Sequence, residues 1–453
     1  MSTARTRGSS AVIVGLGKTG LSCARYLHAH GWRVAVTDTR PQPPELARLQ
    51  ALDPSIPVRA GGLDTKLLDD ALCVVTSPGL SLAEPFFMEA RRRGLEIVGD
   101  VELFARAVDA PVVGITGTNG KSTVTTLIGR MASRAGLKVR VGGNLGDPAL
   151  DLLTASEGDA EKTELYVLEL SSYQLESTQS LDLKAAAVLN VTPDHMDRYG
   201  TIEDYAAAKA RIFARCDTAV INLDDPLVVA MPGPGQRRLG FSLRASIGAD
   251  YAVVTGVDSK WWLSRRGEPL LAVSAMKITG LHNAANALAA LALGEALGLP
   301  LEVMLAELKE FPGLPHRAQW VADVGGVTYV NDSKGTNVGA TLAAVEGMSG
   351  PLVIIAGGDG KNQDFSPLRD AFRGKVRHTV LIGRDAPAIA RVLEGVCTIE
   401  QAATLQDAVR ASAKAAKPGD TVLLSPACAS LDMFRDYTHR GAVFTQAVKE
   451  LAA

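Results

Sequence analysis

Cysteine is scarce in this chain and follows no pattern. Its five residues, Cys23, Cys73, Cys216, Cys397 and Cys428, lack the paired spacing of a metal site, and an odd number in a large chain points to reduced thiols. A disulfide framework is thereby set aside, and a cytoplasmic protein is expected. An excess of one charge is missing too: 47 Lys and Arg stand against 49 Asp and Glu, mixed along the chain, so no electrostatic footprint for nucleic acid exists. Long apolar runs are also absent. The longest tract, NALAALALGEALG, is broken by Glu295 and falls short of the ~18 uninterrupted apolar residues of a membrane span. Behind the basic start MSTARTRGSS, the apolar stretch AVIVG is cut by glycines too early for a signal peptide. Neither nucleic acid nor membrane is expected as a partner. No period of roughly 20 to 50 residues recurs, so a solenoid has no support.

What the chain does contain is strand and helix in alternation. Its 453 residues suffice for ~3 domains of roughly 150 residues each. The runs AVIVG, RVAVTD and ALCVVTSPG read as buried parallel strands, with LSCARYLHAHG as a helix and PQPPELARL as a Pro-rich turn. PVVGITGTNGKST, ELYVLELSS and AAAVLNVTPDH start and continue a second unit, which ends near EFPGLPHR. VTYVNDSKGTN, PLVIIAGGDGK, HTVLIGRD and TVLLSPACAS make a third. The fold expected is α/β in three domains: a Rossmann-like unit over 1–108, a P-loop unit with a parallel sheet over 109–313, and a second Rossmann-like unit over 314–453. Ligands of such sheets gather outside the carboxyl ends of the strands, so the chemistry belongs between domains.

Two glycine loops of different design follow strands. GLGKTG, Gly15 to Gly20, fits GxGxxG, opens a helix, and has Asp38 at the end of the next strand; alone, it reads as a dinucleotide fingerprint. GITGTNGKST, Gly114 to Thr123, is a P-loop variant, with Ile115 where the strict pattern has glycine. The parts that matter remain. Small residues let N–H groups turn inward, Lys121 can reach β- and γ-phosphate oxygens, and the Ser122 and Thr123 hydroxyls can meet Mg²⁺. ATP is the ligand expected there.

Polar residues then stand where strands end. Glu169 closes ELYVLE, as a magnesium-binding carboxylate would. TPDHMDRYG offers His195, flanked by Asp194 and Asp197. In TIEDYAAAKARIF, Thr201 is the expected N-cap with Asp204 at the capping-box position, and Lys209 shares the apolar face of Tyr205, Ala208, Ile212 and Phe213. A lysine on that face either runs along apolar surface to water or lies in a dry pocket, where a neutral amine can take up carbon dioxide as a carbamate.

GITGTNGKST, LELSSYQLE, NVTPDHMDRYG, YAAAKARIF, GLHNAANALAA, LPHR and NDSKGTN together resemble the ATP-dependent Mur ligases of peptidoglycan synthesis, in order and over nearly the whole chain. NDSKGTN, GGDGKNQDF and SPACASLDMF resemble the branch that adds D-glutamate to UDP-N-acetylmuramoyl-L-alanine. The resemblance implies that GLGKTG, through Gly15, Leu16, Gly17, Lys18 and Thr19, holds the diphosphate of the UDP substrate, helped by Asp38, Thr39, Arg40, Ser77, Pro78, Gly79, Asn144 and His195. ATP would be held by Gly117, Thr118, Asn119, Gly120, Lys121, Ser122, Thr123, Asn283, Asn286, Arg317 and Asp332. Two magnesium ions are implied, one near Ser122, Thr123 and Glu169, the other near His195 and carbamylated Lys209; Lys121, Glu169, His195 and Lys209 form the implied catalytic set. D-glutamate would meet Lys334, Thr336, Lys361, Ser430, Leu431 and Tyr437. Tyr437 stands where the family more often has phenylalanine, and Ser430 also reads as the N-cap of a helix LDMFRDYTHR. Domain closure and a monomer are expected. The residues alone leave two alternatives, a nicotinamide-dependent oxidoreductase resting on GLGKTG and Asp38, and a nucleotide-gated binding protein without catalysis.

Overall fold

The computed structural model describes residues 9–158, 162–244, 248–257, 259–278, 280–348 and 350–452. Three sheets follow one another along the chain. The first holds β1 (Ser10–Val14), β2 (Arg33–Asp38), β3 (Val58–Ala60), β4 (Cys73–Thr76) and β5 (Glu96–Val98), all parallel, in the order β3-β2-β1-β4-β5. The order reverses between β1 and β4. That switch point is where a parallel sheet opens a crevice at its carboxyl edge, and GLGKTG and the Ser77–Gly79 loop both leave from it.

The central sheet has β6 (Val112–Thr116), β7 (Val139–Gly143), β8 (Leu165–Glu169), β9 (Leu183–Val188), β10 (Cys216–Asn222), β11 (Arg237–Ser242), β12 (Tyr251–Thr255), β13 (Trp261–Arg265) and β14 (Glu268–Ala272). Its order is β14-β13-β12-β11-β10-β9-β6-β8-β7. The third sheet has β15 (Gln319–Val324), β16 (Val327–Asn331), β17 (Leu352–Gly357), β18 (Val376–Ile382), β19 (Thr398–Gln401) and β20 (Thr421–Leu424), in the order β15-β16-β20-β17-β18-β19.

The central sheet is mixed, whereas the sequence pattern suggests a parallel one. β13 and β14 run antiparallel to their neighbours, as does β15 against β16 in the third sheet. The cause is local. Two residues cannot make a parallel crossover, and both Arg266-Gly267 (φ +49 and +87) and Gly325-Gly326 (φ +59 and +79) adopt the doubly left-handed turn that fits an antiparallel hairpin. Two further expectations fail. PQPPELARL is not only a turn, since its later residues start the helix Leu46–Leu52. LDMFRDYTHR is not one helix: Ser430 O accepts from Met433 N and Phe434 N in a turn, and the last helix begins at Tyr437.

Helices cover the sheets and join them. Leu281–Leu297, apolar along its middle, packs there on Lys121–Arg134, β9 and β11. The first two units are docked through Ser22 Oγ on Asp151 Oδ1 (2.7 Å) and through Glu102, which accepts from Gln179 N and Ser180 N at 2.7 and 2.9 Å. Among the described residues no helix is long and apolar enough to cross a membrane.

Candidate active site

β6 is buried along its length between β9 and β8, so the second glycine loop emerges from an interior strand at the sheet's carboxyl edge. Helix Lys121–Arg134 starts directly behind it. Two backbone positions there need glycine. At Gly120, φ +85, a Cβ would stand 2.3 Å from Asn286 Oδ1; at Gly117, φ +147, it would stand 3.0 Å from Leu189 Cβ. Asn190 fastens the loop, its Oδ1 accepting from Asn119 N at 2.8 Å and its Nδ2 donating to Asn119 O at 3.1 Å. A strand end, a glycine loop and a helix N-terminus in this order make an anion cradle.

Lys121 and Lys209 converge on that loop. Lys121 Nζ donates to Gly117 O and Thr118 O at 2.9 and 2.8 Å. Thr201 caps the second lysine's helix as its sequence suggests, accepting from Asp204 N at 3.1 Å, and two turns later Lys209 points inward. Lys209 is 1% exposed. Its Nζ donates to Gly117 O at 3.0 Å and lies 4.2 Å from the centre of the Tyr205 ring. Burial first, and the charge of Lys121 second, push its pKa well below the ordinary lysine value.

Glu169 ends β8, one strand from the loop, and is buried. Asn144 Nδ2 donates to its Oε1 at 2.7 Å, while Oε2 is buried without a hydrogen-bond partner. Burial acts to raise its pKa, but the charge of Lys121, the nearby Ser122 and Asn144 groups and the charge of Arg317 together hold it below the ordinary range. An ionised, partly unsatisfied carboxylate beside a phosphate cradle suits a hard cation. His195, at φ +58, has its pKa lowered to about 4, chiefly by burial, and is neutral at pH 7.

The third unit closes over these groups. Arg317 Nη2 donates to Ser122 Oγ at 2.6 Å, Lys361 Nζ pairs with the Asp194 carboxylate, and Asn337 Nδ2 reaches Asp194 Oδ2 at 3.2 Å and Asn119 Oδ1 at 3.3 Å. One cavity is therefore lined from two sides, by Thr118–Lys121, Asn144, Glu169, His195 and Lys209, and by Arg317, Lys334, Thr336 and Lys361. A second cavity shares Asn119, Gly120, Arg317 and Lys334 with it and adds Thr123, Phe241, Ile278, Asn283, Asn286 and Asp332. Its apolar wall and its asparagines suit a heteroaromatic base.

Some sequence expectations divide on this geometry. Asn144 and His195 belong with Glu169 and Lys209, while Gly15–Thr19, Asp38–Arg40 and Ser77–Gly79 form a separate group at the edge of the first sheet. Asp38 is buried, with its oxygens on Leu16 N (2.6 Å) and on Arg40 N, Nε and Nη2 (2.8, 2.9 and 2.6 Å), so it braces the loop. Asp332 is likewise engaged, accepting from Ser425 Oγ at 2.8 Å and Ala318 N at 3.2 Å, and burial raises its pKa to about 6. Ser430, Leu431 and Tyr437 lie outside the lining of the main cavity; Tyr437 enters indirectly, its ring 4.0 Å from Lys334 Nζ. Sequence reasoning passed over Asp194 as a partner of Lys361, and it passed over Asn337. The latter carries a signal, since it is the N-cap of Val338–Gly347, accepting from Ala340 N at 2.8 Å.

Three α/β units closing on one glycine loop define the class: this is a multidomain P-loop nucleotide enzyme. Comparison with known proteins narrows it. Residues 9–99 match the Mur ligase MurD-like N-terminal domain, 115–294 the Mur ligase middle domain and 316–428 the Mur ligase glutamate ligase domain. The chain belongs to the Mur ligase family. It is 50% identical over 444 residues to a UDP-N-acetylmuramoylalanine-D-glutamate ligase of Methylococcus capsulatus, covering 98% of this chain and 95% of that one. A Pseudomonas aeruginosa protein of the same name is also 50% identical, over 445 residues, covering 97% and 98%. Among solved structures, the MurC UDP-N-acetylmuramate-alanine ligase of Thermotoga maritima aligns with a TM-score of 0.62 at 18% identity over 97% of this chain and 99% of that one. MurF ligase of Thermotoga maritima, solved with ADP, aligns at 0.61 and 16% identity over 99% and 97%. These likenesses are of fold.

Proposed function

We propose that this chain joins the amine of D-glutamate to the terminal carboxylate of UDP-N-acetylmuramoyl-L-alanine, driven by ATP, with release of ADP and phosphate. The reading is carried by 50% identity over nearly the full chain to relatives bearing that name. A carboxylate is a poor acyl donor. Its oxygen therefore attacks the γ-phosphorus of ATP, ADP departs, and the acyl phosphate is attacked by the amine, which expels phosphate and leaves an amide.

The named residues fit this sequence of steps. Lys121 and the loop amides take the phosphates, and the adjoining cavity with Asn283 and Asn286 takes the base. Charge developing on the transferred phosphoryl group is met by Lys121 and Arg317 in a site shielded from bulk water. Magnesium, when bound, supplies further neutralisation of phosphate charge. Glu169 Oε2, with no hydrogen-bond partner, and the Ser122 and Thr123 hydroxyls are the donors we assign to one ion. His195, as a neutral imidazole, and Lys209, as a carbamate, are those we assign to the second. Lys334, Thr336 and Lys361 hold the two carboxylates of D-glutamate, with Tyr437 setting the height of Lys334. GLGKTG and its neighbours hold the UDP diphosphate.

We assign the UDP substrate to residues 1–108, ATP to 109–313 and D-glutamate to 314–453. Every group comes from one chain, so a monomer suffices, and dependence on ATP assigns the reaction to the cytoplasm. The oxidoreductase reading, which rested on GLGKTG and Asp38, finds no support among these relatives. Phosphate release is expected only when ATP, Mg²⁺, UDP-N-acetylmuramoyl-L-alanine and D-glutamate are all present, with the amide product seen by mass spectrometry. Equal release without D-glutamate contradicts the proposal.

A further inference from the structure

Gln363 lies in GGDGKNQDF, two residues after Lys361, and is 9% exposed. A buried primary amide brings two donors and an acceptor that water does not satisfy, and each needs a partner. Its two side-chain ends reach two different segments. Oε1 accepts from Val338 N at 2.9 Å, and Nε2 donates to Gly360 O at 2.8 Å, both buried.

Each segment carries a group that faces Asp194. Val338 is the first residue of helix Val338–Gly347, and its N–H is one of the donors that a helix start leaves without an internal partner. With Val338 N taken by Gln363, the cap Asn337 uses Oδ1 for Ala340 N and points Nδ2 at Asp194 and Asn119. Gly360 precedes Lys361, which pairs with Asp194. Lys361 and Asn362 are consecutive non-glycine residues in the left-handed region, at φ +53 and +58. Such a pair persists only where its surroundings hold it. Asp359 holds Lys361 N at 3.1 Å and Asp385 holds Gly360 N at 2.7 Å from one side, and Gln363 holds the Gly360 carbonyl from the other.

We infer that Gln363 is a positioning residue for the incoming amino acid: it ties the Lys361 turn to the Asn337 helix start and so fixes the cation that takes a carboxylate of the substrate. This rests on the reading of Lys361 as a D-glutamate contact. Gln363 itself is not among the residues that line the cavity. Its loss lets the left-handed turn relax, moving Lys361, while the phosphate loop keeps its own tie through Asn190.

The test is steady-state kinetics of the full chain with Gln363→Met, which keeps length and bulk but has no amide, and with Gln363→Ala. KM for D-glutamate is expected to rise about tenfold in both, the size of a displaced charged contact, with KM for ATP and for UDP-N-acetylmuramoyl-L-alanine within about twofold of the parent by the same scale. Gln363→Glu, which keeps the acceptor for Val338 N, is expected to fall between Met and the parent. Should Gln363→Ala fail to fold, the Met and Glu variants decide the matter. An unchanged KM for D-glutamate in Gln363→Met, or a fall in kcat alone, overturns the inference while the ligase reading stands. A parent enzyme inert toward D-glutamate overturns both.

Discussion

Asp100 offers a prediction whose size follows from its surroundings. It begins the helix Asp100–Ala105 that links the first two units, is 1% exposed, and receives a hydrogen bond from Gln174 Nε2 at 3.3 Å. Burial raises its pKa from the ordinary 3.8 to about 6, outweighing that bond and the nearby backbone amides. The folded state thus binds the proton more tightly than the unfolded chain. The stabilisation from the protonated form is complete below pH 3.8 and is lost as pH rises through 6. A displacement of this size corresponds to about 3 kcal/mol, of which about 1.4 kcal/mol falls between about pH 5 and 8. Asp100→Asn keeps an oxygen for Gln174 and never ionises. The variant is expected to gain stability over the parent on going from pH 5 to 8, by a few degrees in Tm, in parallel calorimetric melts. A difference that is flat with pH, or that shrinks as pH rises, refutes the reasoning.

Two more predictions concern the cavity. Lys209→Ala is expected to abolish turnover, and millimolar formate or acetate to restore part of it, since a small carboxylate replaces the carbamate oxygens; kcat unchanged in the variant contradicts the assignment. Lys334 has its pKa lowered to about 8 by burial and by the charges of Arg317 and Lys121. Its cation is lost as pH rises through 8, so KM for D-glutamate should climb above that pH in the parent. Lys334→Arg should remove the climb, and a climb of equal size in that variant argues for another titrating group.

Local chemistry was legible in the sequence and long-range pairing was not. GLGKTG and GITGTNGKST follow strands and open helices as read, and the Thr201 cap and the inward face of Lys209 were set by spacing within one helix. The antiparallel hairpins escaped notice although Arg266-Gly267 and Gly325-Gly326 are turn signals, because the strands around them were short and half-exposed, as in Gln319–Val324. Asp194 was noticed only as a neighbour of His195. Its partner Lys361 lies 167 residues away, and no periodicity links an aspartate in one loop to a lysine in another. Asp38 is the opposite case. The fingerprint placed it correctly, but the residue that fills it, Arg40, lies two positions on and carries no motif.

The most direct test of the central chemistry follows an oxygen atom. UDP-N-acetylmuramoyl-L-alanine labelled with ¹⁸O in its alanyl carboxylate is turned over with ATP, Mg²⁺ and D-glutamate, and the released phosphate is analysed by mass spectrometry. If that carboxylate attacks the γ-phosphorus and the amine then expels phosphate, one ¹⁸O passes into each phosphate formed. Phosphate free of label, alongside normal amide product, contradicts an acyl phosphate and the roles assigned to Lys121, Arg317 and the cavity they share.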